Sequence, residues 1–196
     1  MARRGRRDRP DHYSKQARRE GYQARSVYKL EELQKRFSIL SRGMRVLDVG
    51  AAPGSWSRLA RRIVGESGYV LAVDLSPLPS LDGIANVETI EADVFERPTV
   101  DRILAAGPFD AVLSDAAPNT SGHRTLDTAR SAALVEQVLA LAAEALAPGG
   151  NLVAKIFQGG DEQQLLQQMR AEFETARLIK PKASRDESFE TFLVGQ

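Results

Sequence analysis

A lysine inside an apolar strand is the residue that first asks for chemistry. Gly150-Asn-Leu-Val-Ala-Lys155-Ile-Phe157 is otherwise strand-forming and apolar, and an ammonium there is costly unless a partner or a cleft receives it. Two carboxylates occupy comparable places. Asp115 closes the run Val112-Leu-Ser-Asp115, with Pro118 shaping the loop behind it, and Glu190 interrupts Ser188-Phe-Glu190-Thr-Phe-Leu-Val194. Taken alone, Glu190 suits a solvent face as well as a site. Lys29 lies near the edge of a helical apolar stripe formed by Val27, Leu30, Leu33 and Phe37. Lys29, Asp115, Lys155 and Glu190 together balance ammonium against carboxylate, and such a set can be held partly buried without net charge.

A second constellation reads as a ligand site. Val46-Leu-Asp-Val-Gly-Ala-Ala-Pro-Gly-Ser-Trp56 passes from apolar strand through Gly50 and Gly54 into a helical pattern. Strand, glycine turn and helix is the arrangement that binds nucleotide-like ligands at the carboxyl edge of an α/β sheet. Asp74 ends the next strand-like run, 20 residues past Gly54, where a carboxylate accepts from ribose hydroxyls. Asp93 closes the third run, placed to accept from an adenine amino group while Val94 packs on the ring; exposure at a strand end is its plain alternative. Trp56 has two competing uses, as a wall of the pocket or as a staple between helix and sheet. Ala52 stands where a dinucleotide fold prefers a second glycine for the approach of pyrophosphate. S-adenosylmethionine has no pyrophosphate, so that glycine is dispensable for it, and Asp48 suits its amino-acid end or a bridging water. An NAD-dependent oxidoreductase is the reading this alanine disfavours.

These groups need elements to position them. Strands are expected at about 44–50, 69–75, 87–93, 109–115 and 150–157, and helices at about 56–65, 127–147 and 161–173, with a weaker one at 99–105. Such alternation implies a parallel sheet covered on both faces. Runs 175–181 and 188–195, separated by a short polar segment, predict a hairpin that adds an antiparallel strand. The fold expected is therefore α/β and Rossmann-like, of the class I methyltransferase type, with a mostly parallel seven-stranded sheet.

The 196 residues suffice for one domain and a sizeable core. No apolar run approaches a membrane span, and the N-terminus has no signal-peptide pattern. With no cysteine, disulfides and thiolate metal sites are excluded and a reducing cytoplasm is the expected home. His12 and His123 are too few and too distant for a histidine metal site, so no metal is expected. The net charge of +1 conceals an asymmetry: residues 1–36 hold 12 Lys/Arg against 5 Asp/Glu, a net of +7, and the rest a net of −6. Residues 1–12 read as a disordered basic arm and 13–196 as one domain, whose basic segment 13–40 meets a polyanion. A tolerated, solubilising terminus is the bland alternative for the arm.

Arg25-Ser-Val-Tyr-Lys29-Leu, Asp48-Val-Gly-Ala-Ala-Pro-Gly54, Ser114-Asp115-Ala-Ala-Pro-Asn119, Lys155-Ile-Phe-Gln-Gly159 and Ser184-Arg185 ahead of Glu190 resemble the motifs of the FtsJ-like ribose 2′-O-methyltransferases, over about residues 11–196. The resemblance implies methyl transfer from S-adenosyl-L-methionine to a ribose 2′-hydroxyl by in-line displacement, with a uridine of 23S rRNA in the large ribosomal subunit as substrate. It places the catalytic set on Lys29, Asp115, Lys155 and Glu190, and cofactor contacts on Gly54, Trp56, Asp74, Asp93 and Asp115. Lys155 would accept the hydroxyl proton if neutral, or orient the hydroxyl while Asp115 receives it. RNA contact is expected from Arg18, Arg19, Arg25 and Lys35, with Tyr13, Tyr22 and Tyr28 available for stacking and core packing competing for Tyr28. Two departures stand out: Ser55 replaces a second glycine before Trp56, and Phe192 stands where tyrosine is common. The same chemistry on tRNA, and an RNA-binding assembly factor without catalysis, are the alternatives; a monomer is expected.

Overall fold

A computed structural model describes residues 12–185 and 188–196; most of the expected basic arm, residues 1–11, lies outside them. Seven strands form one sheet in the order β3-β2-β1-β4-β5-β7-β6. They are β1 (Arg45–Val49), β2 (Tyr69–Asp74), β3 (Val87–Glu91), β4 (Phe109–Ser114), β5 (Leu146–Phe157), β6 (Ala176–Ile179) and β7 (Glu190–Gly195). The first five pair in parallel, while β7 runs antiparallel to β5 and to β6. The mostly parallel sheet with an antiparallel C-terminal strand agrees with the sequence pattern.

Six α-helices accompany it among the described residues: α1 (His12–Arg19), α2 (Val27–Phe37), α3 (Ser55–Val64), α4 (Arg97–Ala106), α5 (Arg124–Ala145) and α6 (Glu162–Glu172). Each sheet face has its own core. Leu47, Val112, Leu152 and Leu193 pack with α4, α5 and α6, through Ile103, Val135 and Leu165 among others. Val46, Leu113, Val153 and Phe192 pack with α2 and α3, through Leu30, Leu33 and Leu59. Central strands buried on both faces explain their unbroken apolar runs. No helix among the described residues is long and apolar enough to cross a membrane.

Three boundaries differ from the sequence expectation, each for a local reason. Helix α4 is a full element from Arg97, with a proline in its first turn where no backbone donor is needed. Helix α5 starts at Arg124 rather than 127. The Asp127 carboxylate accepts the Ser121 and Gly122 N–H groups at 2.7 and 3.1 Å, tying the preceding loop to the first helical turn. Strand β5 starts at Leu146 because Phe109 pairs with Leu146 but Ala111 pairs with Asn151. The extra residues form a bulge at Gly149, whose φ is +77°.

Leu113 is fully buried in β4 at the centre of the sheet. Leu113→Ala should lower the unfolding free energy by about 2–5 kcal/mol in a denaturant titration; a loss below about 1 kcal/mol would show that this part of the core collapses onto the void.

Candidate active site

The carboxyl ends of β1 to β4 open onto a cleft of about 730 Å³, lined by Gly50, Asp74, Leu75, Asp93, Asp115 and Ala116 among others. Its size is that of a small-molecule site. Gly50 shapes its floor, and Gly54 the turn that follows. At Gly50 φ is +70° and an added Cβ would stand 2.5 Å from the Ala116 Cβ, so only glycine lets the β1 turn lie against the loop after β4. At Gly54 φ is +97° and a Cβ would collide with Ser80 Oγ. Gly54 shapes the turn into α3 and lines neither the cleft nor the narrow hollow beside it.

Asp74 is already engaged with the turn: Oδ2 accepts the Ala52 N–H at 2.9 Å and Oδ1 the Ser76 N–H at 2.8 Å. Each oxygen keeps a lone pair for a ligand hydroxyl. Asp93 accepts the Phe95 N–H through Oδ1 at 3.0 Å, which leaves its other oxygen to the cleft. Leu75 is 71% exposed on the rim. It was not singled out in the sequence, although an apolar residue directly after Asp74 is a readable signal for a surface that packs on a flat ligand.

The narrow hollow continues from the turn and is lined by Ser26, Asp48, Gly50, Ser55, Trp56 and Asp115 among others. Asp48 is buried and accepts a hydrogen bond from Ser57 Oγ, while its Oδ1 has no partner. Burial pushes this carboxyl up to about 7 against the Ser57 hydrogen bond, and the Asp115 and Asp74 charges push the same way. Trp56 ties two helices together beside the turn. It lines the hollow, and its Nε1–H donates to the Ser26 carbonyl at 2.9 Å, which fastens α3 to the start of α2. Ser55 replaces the expected glycine with a clamp: its Oγ accepts the Ala24 N–H at 2.8 Å.

The four charged residues converge at the carboxyl ends of β4 and β5. Lys29 Nζ donates to Glu190 Oε2 at 2.7 Å and stands 3.8 Å from Asp115 Oδ1. Lys155 Nζ stands 3.1 Å from the same Oδ1 and donates to the Asp115 main-chain carbonyl. Asp115 Oδ1 is ion-paired yet holds no hydrogen bond. Lys29 and Lys155 are both buried. Burial alone would raise the Glu190 carboxyl, but the charge and hydrogen bond of Lys29, with Lys155 behind it, outweigh that and hold it below the ordinary value. Phe192 lies opposite Lys155 in the β5–β7 register. Its ring stacks on Trp56 at 5.7 Å and faces Lys29 Nζ at 5.6 Å, so the missing tyrosine hydroxyl leaves the packing role intact.

The basic head divides into free and committed groups. Arg18 and Arg19 are exposed on α1. Lys35 is exposed but pairs with Glu31 at 3.2 Å, and Arg25 donates to the Ala183 carbonyl at 2.6 Å. Tyr22 and Tyr28 are buried, each 7% exposed, which corrects their assignment as stacking surfaces. Tyr22 packs into the core beside α3, and Tyr28 Oη donates to Glu20 at 2.9 Å. Tyr13, 36% exposed, keeps its ring at the surface.

A raised carboxyl pKa means that the folded state holds its proton where the unfolded state has released it. The Asp48 share of stability is thus present below pH 3.8 and lost as pH rises from there to about 7. Asp48→Asn should gain melting temperature relative to the unaltered protein across that window, by several degrees. A pH-independent difference between the two melting curves would show that Asp48 does not titrate there.

Comparison with known proteins accords with this geometry. A Treponema denticola protein named ribosomal RNA large subunit methyltransferase E is 50% identical over 186 residues, covering 95% of this chain and 94% of its own length. A protein of the same name from a Psychrobacter species is 45% identical over 187 residues, 94% of this chain and 88% of its own. Among solved structures, a Plasmodium falciparum chain described as a ribosomal RNA methyltransferase superposes with a TM-score of 0.78 at 25% identity, covering 89% of this chain and 97% of that one. Aeropyrum pernix fibrillarin, crystallised with natively bound S-adenosyl-L-methionine, shares the fold at a TM-score of 0.63 and 16% identity, over 87% of this chain and 76% of its own. Residues 22–196 match the profile of the FtsJ-like methyltransferases, and the chain belongs to that family.

Proposed function

We propose that this protein transfers a methyl group from S-adenosyl-L-methionine to the 2′-hydroxyl of a uridine ribose in 23S rRNA of the large ribosomal subunit. The observation that carries the reading is the balanced cluster of Lys29, Asp115, Lys155 and Glu190 beside a nucleoside-sized cleft. The residues present fit the cofactor. Carboxylates stand at the ends of β2 and β3 for ribose and adenine, Leu75 offers an apolar rim, and the unpartnered oxygens of Asp48 and Asp115 adjoin the narrow hollow. Trp56 walls that hollow, and Gly54 contributes through the backbone of the turn.

Bound S-adenosyl-L-methionine supplies a methyl activated on a sulfonium, so the leaving group departs neutral. The chain must align the attacking hydroxyl and receive one proton. Lys155 Nζ is fixed by the carbonyl and carboxylate of Asp115, a residue that lines the cleft. When neutral it accepts the hydroxyl proton, with Asp115 Oδ1 the second acceptor 3.1 Å away. Lys29 holds Glu190 ionised at 2.7 Å, where its carboxylate orients the ribose. Arg18 and Arg19, with the rest of the basic segment 13–40, meet phosphates and position the strand. This reading places the protein in the cytoplasm as a monomer acting on ribosomal particles.

Lys155→Ala should keep cofactor affinity by calorimetry yet lose methyl transfer by at least about a hundredfold; near-normal turnover would sink the proposed role. Labelled S-adenosylmethionine should place label on 23S rRNA ribose in large subunits from cells lacking the enzyme, and not on bulk tRNA from the same cells. Label on tRNA alone would keep the mechanism and overturn the substrate. Tight cofactor binding without label on either would favour a non-catalytic assembly factor.

A further inference from the structure

The rim of the site carries an aromatic pair that the transfer chemistry leaves unused. Phe189 directly precedes Glu190 and is half-buried. Its ring meets Phe157 edge-on, with centroids 4.6 Å apart at 62°, and its carbonyl accepts the Gln158 N–H at 2.8 Å. These contacts fix the ring against the end of β5, two residues beyond Lys155.

Arg124, the first residue of α5, lies over that ring with its guanidinium carbon 5.4 Å from the centroid. Its Nη2 reaches the Gln158 carbonyl at 3.5 Å, a long and weak contact. Gly159 adjoins the guanidinium: a Cβ there would make ordinary contact with it, at 3.5 Å from Nη2. Among the described residues no carboxylate pairs with Arg124, and the side chain is exposed. Leu126, 43% exposed, adds apolar surface to the same helical turn. A planar cation backed by a phenyl ring, unpaired among the described residues, is a surface on which a nucleobase stacks. A bare phosphate site would not need the ring.

We propose that Arg124 and Phe189 form a stacking platform for an unstacked RNA base next to the reacting ribose. The proposal rests on the RNA-methylation reading above and adds a specificity-determining surface to it. The platform sits on the α5 side of the strand ends, whereas the basic head approaches from α1 and α2. Helix α5 packs on one face of the sheet and α2 on the other, so an RNA strand held by phosphates at the basic head is pinned by a base at the platform.

The test measures binding of undermethylated large subunits, with cofactor binding measured in parallel. Phe189→Leu keeps the apolar volume but removes the π-face, and should weaken RNA binding by about tenfold, the scale of one lost stacking partner. Its cofactor affinity and salt slope should stay unchanged, since no phosphate contact is lost. Arg124→Lys keeps the charge but not the plane and should show the same loss. Phe189→Trp should bind normally, with its emission quenched by RNA against the buried Trp56, the only native tryptophan. Normal RNA binding by Phe189→Leu, or by Arg124→Lys, would overturn the platform, as would loss of cofactor affinity in Phe189→Leu. Failure of the unaltered protein to methylate those subunits would instead sink the underlying reading.

Discussion

Two ammonium groups and two carboxylates at the carboxyl edge of the sheet stabilise one another, and the rest of the architecture serves that arrangement. Removing one partner of such a buried pair typically costs about 3–5 kcal/mol, because the survivor is left charged and poorly solvated. The groups come from four elements: Lys29 from α2, Asp115 from the end of β4, Lys155 from β5 and Glu190 from the start of β7. Lys155 and Asp115 pair across neighbouring strands, but helix α2 must dock on the sheet to bring Lys29 to Glu190. The Trp56–Ser26 and Ser55–Ala24 hydrogen bonds fasten that docking from the α3 side, so the cofactor turn and the catalytic cluster share their anchors.

Asp115 links the two halves. Its side chain faces the lysines, and it also lines both the cleft and the hollow. The close approach of Gly50 to Ala116 brings the β1 turn against the same loop. A ligand in the cleft and a nucleophile near Lys155 thus meet across a single residue, with no hinge between them. Short, packed connections of this kind suit a displacement whose rate depends on alignment.

Much of this is legible in the order of residues. Lys155 declares itself because charge inside an apolar strand violates the pattern around it, Glu190 only in company with the other three charges, and Gly50, Asp74 and Asp93 because each sits where a parallel strand ends. The tyrosines fare differently. Tyr13, Tyr22 and Tyr28 look alike among basic residues, but whether a ring faces solvent is decided by which helix it packs against, and only Tyr13 stays outside. The start of α5 is likewise obscure, since Asp127 organises Ser121 and Gly122 through contacts that resemble ordinary loop polarity. The Arg124–Phe189 pair joins residues from distant segments and has no local signature at all.

Strand β7 lies between β5 and β6, although it follows both in the chain. Before it inserts, the strand bearing Lys155 presents a bare hydrogen-bonding edge, open to pairing with another chain. The same insertion delivers Glu190 and presses Phe192 between Trp56 and Lys29. Closure of the sheet and assembly of the reactive centre are therefore one event. A molecule lacking that insertion would have both an open strand edge and an incomplete charge cluster.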